Sequence, residues 1–283
     1  MKRSFAFIVI ILFLVACNDN CDFENGISSQ LVVEGWIEEG GYPVVILTKS
    51  LSVSTEYQNV DSLKDYLLRW AKVTVSDGTD SVVLTGKYDA GYYPPYIYTT
   101  SRMKGEIGKK YTLTVEYRNN CATAVTTILS VPENCTFKVK RCADSDSLFQ
   151  IKAKFYTNTS EKKFYQIFTR VGTSSKQYQA SYLGSVNSSV MNNDTEVPVY
   201  RGHQLKTDNY TPYFKLNDTV SVKLAHIDDV SFQIWDSYTK TLSLSGNMFL
   251  STYSNMSTNI SGGYGYWCGY NAITKYIVIK DSI

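Results

Sequence analysis

Histidine is almost missing from this 283-residue chain, which has two, His203 and His226. Two imidazoles cannot supply a multi-histidine metal site, and no H-E-x-x-H pair is present, so zinc-protease chemistry is excluded. Charge is sparse as well, at 19% of residues. Removing residues 1–16 takes away Lys2 and Arg3 and leaves 26 basic against 26 acidic groups, with no basic tail, so a nucleic-acid role has no electrostatic footing. The glycine patterns of phosphate and dinucleotide loops are absent, as is the G-x-S-x-G elbow of the α/β-hydrolases. No apolar run approaches the roughly 20 residues that a membrane-spanning helix needs. Tyrosine, by contrast, is abundant, with 23 residues, and 43% of the chain is hydrophobic. Tyr interspersed with Ser, Thr and Asn is the texture of an extracytoplasmic β-protein with enough apolar material for one large or two modest domains.

The N-terminus reads as an address. Lys2 and Arg3 precede an apolar run from Phe5 to Val15, and Ala16 stands directly before Cys17, the pattern of a cleaved secretory signal over 1–16. Leu14-Val15-Ala16-Cys17 resembles the lipobox of bacterial lipoproteins, which implies that Cys17 is acylated and becomes the first residue of the mature chain. Several acyl chains at about 0.8 kcal/mol per buried methylene make such an anchor effectively permanent. Residues 17–30 then form the acylated Cys and a polar tether. Its early acidic residues resemble the surface-export signal of Bacteroidota lipoproteins. Five further cysteines (Cys21, Cys121, Cys135, Cys142 and Cys268) are an odd number, so in an oxidising compartment at least one is unpaired or bonded between chains.

The body is expected to be mainly β, with an N-terminal Ig/fibronectin-like β-sandwich over 31–132 followed by a second antiparallel β-domain over 133–283. Strand-like runs recur at Leu31 to Ile37, Val44 to Thr48, Ala71 to Ser76, Ser81 to Leu84, Tyr111 to Tyr117 and Ala122 to Leu129, at sandwich spacing. Asp77-Gly78 is a favoured turn pair and predicts a hairpin across 71–84. Val131-Pro132 marks the boundary, because Pro cannot continue a ladder. Beyond it, strands are expected at Thr136 to Lys140, Leu148 to Phe155, Phe164 to Val171, Tyr178 to Leu183 and Thr219 to Ala225. The polar stretch 185–213 reads as a long loop with one short strand near Val197 to Tyr200. Val230, Ile234, Tyr238 and Leu242 recur every four residues behind acidic N-cap candidates, which predicts one helix near 229–243.

Near the end, Gly262, Gly263, Gly265 and Gly269 alternate with Tyr264, Tyr266 and Trp267. Glycines at this density point to a bulged strand or tight turn whose backbone needs them, with the aromatic rings capping the second domain or stacking on a ligand. The segment Tyr92, Tyr93, Pro94, Pro95, Tyr96, Tyr98 offers a second aromatic surface, suited to a protein or a glycan, or a rigid loop packed on the sandwich end. These rings and the 185–213 loop are the candidate contact surfaces. His226 with Asp228 or Asp229 offers a possible hard-metal set, but the ordinary account is a strand end followed by helix-capping carboxylates. No metal, cofactor or catalytic residue is assigned. Cys268 has no basic neighbour in sequence to lower its pKa, so it reads as buried or disulfide-bonded.

The opening Leu31-Val32-Val33-Glu34-Gly35-Trp36-Ile37, the segment Ala71 to Gly78, Gly105-Glu106-Ile107-Gly108 before Tyr111 to Val115, and Asn259 to Gly265 together resemble a Bacteroidota lipoprotein family, domain of unknown function 4249. The resemblance implies an outer-membrane lipoprotein encoded beside TonB-dependent receptors, hence a part in uptake with such a receptor as partner and a membrane contact through the lipid anchor. The expectation is a non-catalytic binding or accessory protein for a receptor, a glycan or a small ligand. Alternatives are a structural adhesin or envelope-assembly component, and a surface glycan-active hydrolase whose paired acids the sequence does not reveal.

Overall fold

The computed structural model describes residues 30–50, 66–132, 135–155, 162–191, 195–202, 211–245 and 256–281. The chain is mainly β, with one α-helix among the described residues. The strands are β1 (Leu31–Glu38), β2 (Val44–Lys49), β3 (Lys72–Ser76), β4 (Ser81–Val83), β5 (Thr85–Tyr88), β6 (Tyr96–Thr99), β7 (Lys110–Tyr117) and β8 (Asn120–Thr127). Then follow β9 (Cys135–Arg141), β10 (Leu148–Phe155), β11 (Phe164–Val171), β12 (Gln179–Asn187), β13 (Glu196–Val199), β14 (Phe214–Lys215), β15 (Thr219–Ile227), helix α1 (Asp229–Ser245) and β16 (Tyr264–Val278).

Three sheets are built from these strands. The first half is a sandwich: β1, β2, β6 and β5 face the four-stranded sheet β4-β3-β7-β8. Alternation makes its core, since Leu31, Val33 and Ile37 of β1 point inward with Val45 and Leu47 against Val73, Val75, Leu113 and Val115. The hairpin expected around Asp77-Gly78 joins β3 to β4. Asp77 Oδ1 accepts the amides of Thr79 and Asp80 at 3.0 and 2.8 Å, and Lys109 Nζ donates to Oδ2 at 3.0 Å. A second core lies between β10 with its neighbours and one face of β11 and β15, where Phe149, Ile151, Phe155 and Phe214 meet Tyr165, Ile167, Val222 and Leu224.

The expected boundary at Val131-Pro132 falls between β8 and β9, and one sheet runs across it in the order β12-β11-β15-β16-β1-β2-β6-β5. Strand β16 is the strap. Its first half pairs parallel with β1, from Val32 opposite Tyr264 to Glu38 opposite Tyr270. Its second half pairs antiparallel with β15, from His226 opposite Asn271 to Thr219 opposite Val278. The glycine-aromatic run is therefore strand, and its rings do not simply cap the second half. Trp267 inserts into the first sandwich, fully buried, and donates from Nε1 to Tyr111 O at 3.1 Å. Asn259 serves as a ladder partner on the open side, donating to Trp267 O at 2.7 Å and accepting Trp267 N–H at 3.0 Å. Gly265 has φ +101, and a Cβ there would collide with Val33 O, so the close parallel approach of β16 to β1 requires glycine. Gly262 also has positive φ, while Gly263 and Gly269 lie where a Cβ would meet Leu31 O at 2.6 Å and Thr127 O at 2.8 Å.

Helix α1 begins where the acidic residues predict: Asp228 Oδ1 accepts Ser231 N–H at 2.7 Å, an N-cap bond. It covers the face of the long sheet opposite the second core, with Trp235 edge-on to Phe168 at 5.2 Å and Phe232 stacked on Phe164 at 4.6 Å. His226 is buried, with its Nδ1 2.8 Å from Ser130 O. Cys121 is disulfide-bonded, and Cys135, Cys142 and Cys268 are free thiols, the last buried with its pKa pushed up to about 12 by burial.

Candidate functional site: an aromatic cavity on the long sheet

The residues of β1 that do not face the sandwich core face the other way. Glu34, Trp36 and Glu38 alternate with the core residues and stand on the same side of the long sheet as Tyr266 and Tyr270 of β16, Phe168 of β11 and Lys223 of β15. Beside α1 this face is open, and these side chains with Val44, Gly41, Tyr42, Tyr92, Lys176 and Tyr178 line a cavity of about 250 Å³. Pockets of this composition, rings with a few fixed polar groups, suit small ligands.

Two loops close over it. Asp89 Oδ1 accepts Gly91 N–H at 3.0 Å, and Lys176 N–H donates to Gly91 O at 2.7 Å, so the 89–95 turn is tied to the segment before β12. The Tyr93-Pro94 peptide is cis. Buried Gln177 joins the layers: its Oε1 accepts Tyr93 N–H at 3.1 Å, and its Nε2 donates to Glu34 Oε1 at 2.8 Å. Tyr266 Oη donates to that same oxygen at 2.9 Å. Among the described residues no hydrogen bond ends on Glu34 Oε2 and no cation is ion-paired with the carboxylate. Burial raises the Glu34 pKa above its ordinary value, and the bonds from Tyr266 and Gln177 pull it part of the way back. Tyr266 is held well above its usual range by burial and by the adjoining Glu34 charge.

The cavity's other charges are paired. Lys223, buried by the sheet, places Nζ 2.5 Å from Glu38 Oε1 and 4.1 Å from the centre of the Tyr178 ring. Lys176 donates to both oxygens of Asp89, at 3.1 and 2.9 Å. Tyr178 shares a hydrogen bond with Ser221 Oγ at 2.6 Å and also carries the Arg170 guanidinium, 4.7 Å from its ring centre. Trp36 and Tyr92 lie 6.2 Å apart by ring centres at a tilt of 39°. Trp235 of α1 supports Tyr266 from outside at 4.9 Å.

Of the aromatic residues expected to form contact surfaces, Tyr92 and Tyr266 meet at this cavity, although 174 positions separate them in sequence. Others go elsewhere. Tyr98 and Trp267 are corrected: both are buried in the sandwich core, where Tyr98 Oη donates to Leu68 O at 2.7 Å, so neither ring can meet a partner. Tyr96 lies edge-on to Tyr98 at 5.6 Å and donates to Arg69 O at 3.2 Å. It lines a separate cavity of about 270 Å³ with Leu67, Arg69, Tyr88 and Pro95. The Tyr93 ring does not line the cavity, and Tyr264 is half exposed at the start of β16. The 185–213 stretch is shorter as a loop than expected: β12 runs to Asn187, a 3-10 turn spans Ser188–Val190, and β13 follows. Its described residues do not line the cavity. Cys17, the 17–30 tether apart from Gln30, and His203 lie outside the described residues. Among the groups that sequence reasoning missed are Glu34, Trp36, Glu38, Phe168, Lys176, Gln177, Tyr178 and Lys223. In the sequence Glu34, Trp36 and Glu38 are only the outward positions of an alternating strand, a pattern shared with a solvated face.

A protein-family model described as domain of unknown function (DUF4249) matches residues 20–276, which is nearly the whole chain. The chain belongs to the DUF4249 family. That match includes every strand of the sandwich and all residues that line the cavity, so the cavity lies within the DUF4249 region. No curated protein matches the sequence. No group of three or more metal-ligating side chains occurs among the described residues, and no helix there is long and apolar enough to cross a membrane.

Proposed function

We propose that this DUF4249 chain is a non-catalytic binding lipoprotein of the outer membrane, anchored through Cys17, which captures a small ligand and serves a TonB-dependent uptake receptor. The observation that carries the binding part is the 250 Å³ cavity walled by Trp36, Tyr92, Tyr178 and Tyr266 with one carboxylate oxygen left open. The signal-like N-terminus and the family resemblance support the anchor and the receptor. Tyr and Trp rings supply contact area with little conformational entropy to lose, which suits capture and release.

One observation favours a second reading, glycan hydrolysis: two acids share the cavity, Glu34 with a raised pKa and Glu38 paired with Lys223. Separated acid and base roles of that kind mark glycosidases. Against it, the two acids are four positions apart on one strand, about 13 Å along the backbone at 3.3 Å per residue, with Trp36 on the same face between them. In-cell cross-linking followed by purification of the native lipoprotein tests the first reading. Stoichiometric recovery of a TonB-dependent receptor is expected, and recovery of the protein alone overturns the accessory role. Turnover of aryl glycosides that is lost in Glu34→Gln would favour the hydrolase instead.

A further inference from the structure

Charge pairing inside the cavity restricts what can occupy it. Four charged side chains line the wall: Glu34, Glu38, Lys176 and Lys223. Lys223 is neutralised by Glu38, and Lys176 by Asp89 just outside the wall. Glu34 remains. Its two donors, Gln177 and Tyr266, are both neutral, and both bond Oε1. Oε2 has no protein partner among the described residues, and Glu34 is one of the residues that line the cavity. Glu34 is half-buried, and a carboxylate largely withdrawn from water without a counter-charge carries a cost that a bound cation would relieve. Arg170 does not line the cavity and is engaged on the Tyr178 ring. The walls are aromatic, and aromatic rings around a carboxylate form the environment that favours ammonium and guanidinium groups.

We infer that the ligand is an organic cation, whose ammonium or guanidinium group sits on Glu34 Oε2 among the rings of Trp36, Tyr92, Tyr178 and Tyr266. This deepens the binding reading above and rests on it only for the cavity being a ligand site. A hydroxyl can also donate to Oε2, but it leaves the half-buried charge uncompensated, whereas a cation balances it. The cavity volume fits the end of a side chain or a short polyamine, not a folded partner. An anion is excluded from the Glu34 side by repulsion and has no free cation on the cavity wall to receive it.

The test is isothermal titration of the full mature chain with L-arginine amide and putrescine, and separately with maltose as a neutral hydroxyl-rich probe and succinate as an anion. Saturable binding of at least one amine is expected, weakened about tenfold or more in Glu34→Gln, which corresponds to roughly 1.4 kcal/mol or more. It should be unchanged in Tyr276→Ser, an exposed residue outside the cavity. Trp36→Leu supplies a second variant should the first lose its fold, and weaker amine binding is expected there too. Binding of maltose or succinate without either amine overturns the cation assignment while leaving the cavity a ligand site. Absence of binding by all four probes overturns it as well. Amine binding by a protein that recovers no receptor on cross-linking would leave the cation site standing and remove the accessory role.

Discussion

Glu34 is the residue at which recognition and stability pull in opposite directions. Burial lifts its pKa above the ordinary 4.5, so the unfolded chain ionises first as pH rises. The unfolded form therefore holds fewer protons between the ordinary and the raised value, and folding free energy falls across that window and stays low above it. Glu34→Gln removes the titration. The melting-temperature difference between this variant and the parent should thus grow in favour of the variant as pH rises above the ordinary carboxylate value and level off once Glu34 ionises in the folded chain, as read by thermal melts across a pH series. A constant difference would show that Glu34 titrates as it does in the unfolded chain. Sequence could not single out this residue. A Glu on the outward side of an alternating strand has the same pattern as a solvated face, and what buries it, Gln177 and Tyr266, comes from segments 143 and 232 positions away. Tyr92 was legible because rings crowd the 92–98 segment. Tyr98 and Trp267 were misread because a core aromatic and a surface aromatic are the same letter.

At the scale of elements, period two was a reliable guide. Strands β1, β3, β7, β10 and β11 lie within a residue or so of their expected bounds, since each puts alternate apolar positions against a core. The helix also starts where its acidic cap predicts. Strands β5 and β6 escaped notice: Gly86 and Lys87 carry no apolar period, and the 92–98 run read as a loop. The parallel pairing of β16 was hidden for a different reason, because strand partners far apart in sequence leave no local pattern. Its glycines were visible, and their necessity can be measured. Gly265→Ala imposes positive φ on a residue with a Cβ and drives that Cβ toward Val33 O, so a loss of roughly 2 kcal/mol or more is expected in denaturant titration. The same change at Gly40, where φ is +67 and a Cβ would meet nothing, should cost only about 1 to 2 kcal/mol. Equal losses at the two positions would remove the claim of close strand approach.

For the molecule as a whole, the sandwich expected over 31–132 draws part of its core and one strand partner from outside that span. Its core includes Ile260 and Trp267 from the far end of the chain, and β1 loses its parallel partner without β16. A fragment spanning 31–132 should therefore fail to give a cooperative thermal transition, and adding a peptide spanning 256–281 should restore one. A sharp transition in the fragment alone would refute this dependence. Even Trp267→Ala in the full chain should cost about 3 to 5 kcal/mol, the usual range for emptying a buried aromatic site.

The strap also sets a timetable. Strand β1 is made well before β16, with on the order of 200 residues in between. At roughly 5 to 20 residues per second, about ten to forty seconds separate the synthesis of β1 from that of its parallel partner and of the Trp267 indole. Until β16 pairs with it, the β1 edge that β16 covers would offer unpaired backbone groups to any other strand. A chain built this way keeps that edge protected only once β16 has closed over β1.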